Sequence, residues 1–455
     1  MNLKAFWQHN QPLILLALPL LGAQLAQTGM GVVDTLMAGR LSATDLAAVA
    51  VGTSVFAPLM LLIFGTLLAT TPLVAQARGA QQLDRLAHTV HQASWVGLFM
   101  IVLAAVLMLN AHWVFALMGI SAAVADLASG YLQALVWGLP ALAFFQVLRC
   151  LCEGMNHARP ILWISLAGLL LNIPANYVLI YGHLGFPQLG AIGCGYATAL
   201  SFWFMAFLLS LYVHWHRLTR HFAIFSQWQW PHFGMIRHLL WVGLPIGLSI
   251  FVEASLFTTI ALFIGGLGEV VVAGHQVAFN FTGLLFMIPL SLGMALTVKV
   301  GHALGSGNAA QARAVSFYGL QLSLLIALVT ALFMWLSAAW VVQLYSPNTE
   351  VQYLAMGLIK LAVFYQISDA LQVNAAGALR GYKDTRIIML ITLFSYWLIG
   401  LGGGWWLGMG ANPWGPMGVQ GFWYGLIAGL SFAAVLLVWR LHTTSRDFHH
   451  KEPSS

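Results

Sequence analysis

The sequence predicts an all-α integral membrane protein of twelve transmembrane helices in two pseudo-symmetric six-helix bundles. Three observations carry this. Of 455 residues, 60% are hydrophobic and 7% charged, with a mean hydropathy of +0.85, a composition that excludes an ordinary soluble enzyme. Apolar stretches long enough to span a bilayer recur twelve times. The two halves of the chain also resemble each other at a fixed shift.

The expected spans are 12–36, 46–72, 88–110, 127–151, 160–181 and 190–213, then 236–263, 268–298, 313–338, 352–379, 387–409 and 416–440. The charged, apolar N-terminus resembles a signal peptide, but the apolar pattern runs past Pro19 to Asp34, which marks an uncleaved first span. The longest hydrophilic interruption, His214 to His238, divides the chain. The expected organisation is an N-terminal six-helix lobe over 1–213, a cytoplasmic linker over 214–235, a C-terminal lobe over 236–441 and a cytoplasmic polar tail over 442–455.

Positive charge fixes the orientation. With a cytoplasmic N-terminus, all 18 Lys and Arg except Arg40 and Lys360 fall on the inside, from Lys4 to Lys451, as the positive-inside rule requires. Both termini are then cytoplasmic. The net charge of +6 is scattered over short loops and forms no stripe, so nucleic acid is not an expected partner. Cys150, Cys152 and Cys194 are an odd set in or beside apolar segments and read as buried thiols.

A shift of 226 lays Pro19 on Pro245, Gly39 on Gly265, Thr71 on Thr297 and Gly79 on Gly305, and a shift of 227 lays Gly154 on Gly381. Six spans per repeat is an even number, so the repeats are parallel.

Asp34, Glu253 and Asp369 stand inside apolar helices. Each costs roughly 2.5 to 3.5 kcal/mol at bilayer depth by insertion scales, which makes them first candidates for function. In the first span Gln24, Gln27, Thr28, Gly31, Asp34 and Thr35 share one helix face. Tyr365, Asp369 and Gln372 are spaced i, i+4, i+7 in the tenth, and Asn172 and Asn176 lie one turn apart around Pro174 in the fifth. Carboxylate, amide and hydroxyl oxygens are the ligands of hard cations; for the neutral residues, interhelical hydrogen bonding is the competing use.

The segments GVVDTLMAGRLSATDLAAVAVG (31–52), NIPANYVLIYG (172–182), LGAIGCGYATALS (189–201), FVEASLF (251–257), AGHQVAFN (273–280) and FYQISDALQVNAAGALRGYKDT (364–385) resemble the multidrug and toxic compound extrusion (MATE) family, in particular its bacterial NorM branch. The resemblance covers almost the whole chain. It implies two six-helix bundles and a secondary active multidrug efflux transporter that exchanges inward Na⁺ or H⁺ for outward organic cations by alternating access. It maps functional positions onto Asp34, Asn172, Asn176 and Thr198 in one lobe and Glu253, Tyr365 and Asp369 in the other. Na⁺, where it is the coupling ion, would be held by one of these sets. Asn176 stands where some relatives carry an aspartate. Gln27, His275, Gln276, Asn280 and Gln372 are secondary candidates. Pro19, 15 residues or about 22 Å along an ideal helix from Asp34, is the expected hinge.

No enzymatic constellation stands out. GHALGSGN (301–308) lacks the GxxxxGK[ST] of a nucleotide cradle. His214, His216 and His221 read as a solvated loop, His449 and His450 as tail, and His275 as a hydrogen-bonded core residue. Lys360 either snorkels outward or offsets an acid. The 18 Trp suit interfacial anchoring, and any that face a cleft suit stacking against planar cations. Expected partners are membrane lipid and small cationic amphipathic drugs and dyes; no cofactor is expected beyond the coupling ion. The chain is expected to be a monomer in a bacterial inner membrane. The alternative function is a lipid-linked saccharide flippase of similar architecture, which would need a more basic cavity.

Overall fold

The computed structural model describes residues 3–450 apart from 218, 223, 227 and 411, and side chains from 6 to 448 apart from that of 221 as well. Lys4, His221, His449, His450, Lys451 and the last residues of the expected tail therefore fall outside the described residues, in whole or at the side chain. Helices account for all regular structure among the described residues. Eleven are long and apolar enough to cross a membrane, and a bent pair supplies the twelfth span.

In chain order the spans are α1 (Leu3–Leu41), α2 (Ala43–Leu67, continued as Thr70–Gly79), α3 (Asp84–Leu109), α4 (Ala122–Val136 and Leu139–Gly154), α5 (Arg159–Tyr181) and α6 (Ala191–Trp215). They continue as α7 (Phe233–Gly265), α8 (Glu269–Gly305), α9 (Ala309–Tyr345), α10 (Thr349–Gly381), α11 (Thr385–Gly408) and α12 (Val419–His450). Each coincides with an expected stretch. Several extend well beyond it: the 37 residues of α8 reach about 55 Å at 1.5 Å per residue, past a hydrocarbon core of about 30 Å. α12 likewise runs through most of the expected tail, where Thr444 Oγ1 donates to Asp384 at 3.0 Å and Arg440 Nε pairs with the same carboxylate at 2.7 Å.

Two spans depart from straight helix. The limbs of α4 meet at 50°. Gly138 at the break lies against α6, and a Cβ there would sit 2.7 Å from Ala199 Cα. α11 contains a π-helical stretch, Phe394–Gly402. Beside it Gly421, Gly425 and Gly429 of α12 pack on Gly408, Gly404 and Gly400, so closely that a Cβ on Gly429 would meet Ser395 O at 2.7 Å and Gly400 Cα at 2.9 Å. Small residues at this spacing let membrane helices touch through their backbones.

Contacts divide the chain into two compact units, Leu18–Gly247 and Met1–Ala17 with Leu248–Ser455. The divisions fall within α1 and α7 rather than in the connecting segment. Local packing explains the second: Gly247 lies against Leu62 O of α2, at 2.6 Å from a would-be Cβ, so the first turns of α7 belong with 18–247. In the other unit His9 of α1 stacks on Tyr318 of α9, ring centroids 4.7 Å apart.

The sequence repeat is a contact repeat. Gly154 packs on Thr71 O and Val74 of α2, and Gly381, its partner at a shift of 227, packs on Thr297 O and Val300 of α8. Left-handed residues recur as well: Gln81 (φ 56°) pairs with Gly307 (φ 74°), and Asn156 (φ 57°) with Lys383 (φ 63°).

The segment joining α6 to α7 is docked rather than freely solvated. His91 Nε2 bonds Ile224 O at 2.7 Å, Trp95 Nε1 donates to Gln229 O at 3.0 Å, and Gln92 holds Trp230 O and His232 N at 3.0 and 2.7 Å. His216, expected as a solvated residue, is half-buried; it stacks on Tyr212 and lies tilted against His157, centroids 4.7 and 5.1 Å apart.

Candidate functional site

In the unit 18–247 four of the expected residues form one hydrogen-bonded cluster. Asp34 projects from the polar face of α1, 5% exposed. Its Oδ1 accepts from Asn176 Nδ2 and its Oδ2 from Thr198 Oγ1, both at 2.7 Å. Asn176 Nδ2 also reaches Asn172 Oδ1 at 3.0 Å, and Asn172 Nδ2 reaches Thr198 Oγ1 at 3.4 Å. One helix turn of α5 sets the asparagines and α6 supplies the threonine. Asn176 Oδ1 is buried without a partner.

Gln27 does not join this cluster. Its carbonyl accepts from Arg149 Nη1 at 3.1 Å, Gln24 accepts from Arg149 Nη2 at 3.2 Å, and Gln27 Nε2 donates to Ser165 Oγ at 3.3 Å. Arg149 is 4% exposed, and its Nε pairs with Glu153 Oε1 at 2.7 Å; Glu153, 1% exposed, also accepts from Thr71 Oγ1 at 3.4 Å. This buried ion pair is the part of the polar interior that sequence reading missed. Its signal was the i,i+4 spacing of opposite charges within the apolar run LRCLCEG.

The other unit differs in chemistry. Asp369 has no exposure, and both carboxylate oxygens lack a hydrogen-bond partner. Tyr365 and Glu253 are its electrostatic neighbours, and Arg380 is that of the half-buried Glu253. Gln372 Oε1, one turn beyond Asp369, is also buried without a partner. Tyr365 meets Phe257 and Trp423 edge-on. His275, 4% exposed, accepts from Trp423 Nε1 on Nδ1 at 3.2 Å, which places its own proton on Nε2. Gln276 and Asn280 bond each other at 3.2 Å on an exposed face of α8, apart from Asp369. Lys360 is exposed, its Nζ 5.4 Å from the Trp335 ring centroid, a cation–π contact rather than an ion pair.

At matched repeat positions the charges are redistributed. A shift of 226 lays Gln27 on Glu253, and 227 lays Glu153 on Arg380. The amide Gln27 receives Arg149, whereas the acid Glu253 faces Arg380.

Buried carboxylates in each unit of a twelve-span chain are the arrangement of a membrane transporter. The MatE family model matches residues 19–178 and 245–406, and the chain belongs to that family. It is 47% identical over 437 residues to the multidrug resistance protein PmpM of Pseudomonas aeruginosa, covering 96% of this chain and 92% of that protein. The fold is similar to a crystal structure of the eukaryotic MATE transporter AtDTX14, with a TM-score of 0.87 at 22% identity over 99% of this chain and 100% of that one. It is equally similar to a MATE crystal structure in the bent conformation, with a TM-score of 0.87 at 21% identity and 98% of each chain covered.

Proposed function

We propose that the protein is a secondary active multidrug efflux transporter, exchanging inward-moving Na⁺ or H⁺ for outward-moving organic cations by alternating access. The observation that carries this reading is Asp369, a fully buried carboxylate that makes no close hydrogen bond and has only the Tyr365 hydroxyl beside it as a donor. Such a group is costly in a membrane unless a proton or a cation neutralises it. The 47% identity to a protein named for multidrug resistance supports drugs as cargo.

Where Na⁺ is the coupling ion, Asp369, Tyr365 and Glu253 would hold it. This set fits a hard cation, because unpartnered oxygens stand on one face of α10 at Asp369 and Gln372. The alternative set, Asp34, Asn172, Asn176 and Thr198, fits a proton better. Both Asp34 oxygens already accept hydrogen bonds, so protonation would turn one acceptor into a donor and break a tie between α1 and α5 or α6. Bending at Pro19 would let α1 respond. Coupling follows when ion and drug favour different conformations through differential affinity.

The protein acts in this reading as a monomer in a bacterial inner membrane with both termini cytoplasmic. Its relatives are transporters rather than enzymes, and they do not favour the flippase. The test is drug efflux from proteoliposomes under an imposed Na⁺ gradient and then a pH gradient. One of the two should drive saturable efflux; drug flux that neither gradient alters would refute exchange.

A further inference from the structure

Residues 214–238 contain no Asp or Glu and include Arg217, Arg220 and Arg237. The segment is tied to α3 through its main chain at Ile224 O, Gln229 O, Trp230 O and His232 N. Trp228 and Trp230 add ring contacts with His91 and Trp95, and Phe225 meets Phe144 edge-on. Trp215, Trp230 and Phe233 are 71%, 82% and 80% exposed. Aromatic residues with Arg at the end of a span are the composition of a membrane–water interface on the anionic leaflet.

Within the segment lies a cavity of about 360 Å³ lined by His214, Trp215, Thr219, Arg220, Phe225 and Ser226, among others. Thr219, 5% exposed, donates to Val213 O at 2.7 Å and closes the turn that shapes it. Trp215 is also the last residue of the sixth span, so the cavity lies at the end of that span. Cationic and hydroxyl side chains line it beside two aromatic rings, and no acid lies within the segment to compete.

We propose that this cavity is a binding site for an anionic phospholipid of the leaflet in which α6 ends. Arg220 and His214 face the phosphate, and Trp215 and Phe225 flank the start of the acyl chains. A phosphate wants a guanidinium donor, and a lipid additionally wants the apolar wall that a free anion would not use. The occupant is thus a lipid rather than a soluble anion.

The full-length protein in nanodiscs of phosphatidylcholine, with and without phosphatidylglycerol, tests this by native mass spectrometry of the retained lipids. Wild type should retain phosphatidylglycerol in preference. Arg220→Gln should weaken that retention about fivefold, the size expected for one arginine at an anionic surface, and Arg220→Lys should largely keep it. Arg446→Gln removes another exposed arginine, one that does not line the cavity, and should change nothing. Unchanged retention in Arg220→Gln, an equal loss in Arg446→Gln, or displacement of the lipid by inorganic phosphate would each overturn the proposal.

Discussion

The Asn176 amide lies 2.7 Å from Asp34 Oδ1 with Thr198 on the other oxygen, whereas Asp369 makes no close hydrogen bond and has the Tyr365 hydroxyl as its neighbouring donor. The same substitution should therefore have opposite structural costs. Asp34→Asn sets an amide donor among existing donors and should destabilise by about 1–3 kcal/mol; Asp369→Asn disturbs only a weak contact with the Tyr365 hydroxyl and should be neutral or stabilising. Both should abolish coupled efflux. Thermal unfolding in detergent alongside proteoliposome transport reads the two effects separately, and full transport by a folded Asp369→Asn would eliminate that acid from the coupling.

Arg149 and Glu153 are a buried pair that also positions α1 through Gln24 and Gln27. Removing one partner leaves the other charge uncompensated, which costs about 3–5 kcal/mol. Arg149→Met and Glu153→Met should each lower the unfolding midpoint more than the double substitution does. A double mutant with the summed loss of the singles would show that the two charges are independent.

The glycine stack between α11 and α12 admits a direct contrast. A methyl at Gly425 meets Gly400 O and the Gly404 backbone, which cannot rotate away, whereas one at Gly403 meets nothing within 4 Å. Gly425→Ala should cost about 1–3 kcal/mol by overpacking, and Gly403→Ala should leave the unfolding midpoint unchanged or raise it. Comparable midpoints would show that the two helices separate without penalty.

His157, in the loop between α4 and α5, is held below its ordinary value of 6.5, first by burial and then by His216, Arg78 and Arg159 around it. The unfolded chain therefore takes up the proton more readily than the folded one. The stability His157 contributes is present above the ordinary value and is lost as pH falls through it toward the lowered one. Wild type should lose thermal stability between about pH 7.5 and pH 5, and His157→Asn should lose less. Identical pH profiles would assign the acid sensitivity to other groups.

Hydropathy alone marked every span, because twenty apolar residues have few other uses. Span ends were not legible in the same way. α12 continues because Asp384, far off in sequence, holds Arg440 and Thr444. Asp34 and Asp369 stood out through the cost of an acid in lipid, but only family resemblance pointed to Thr198, a residue type common at helix contacts. Gln27 shares a helix face with Asp34, which by itself suggests a common site. Its partner Arg149 lies 122 positions away, where charge distribution alone suggests a cytoplasmic end, so tertiary pairing alone assigns it.

The two compact units trade helix beginnings. Residues 1–17 group with 248–455, while the start of α7, which opens the second repeat, groups with 18–247. Within one chain this is the connectivity of a domain-swapped dimer. The first turns of each repeat therefore group with the unit that holds most of the other repeat. By the same logic, a protease cut in the segment between α6 and α7 should yield two fragments that copurify rather than two autonomous halves.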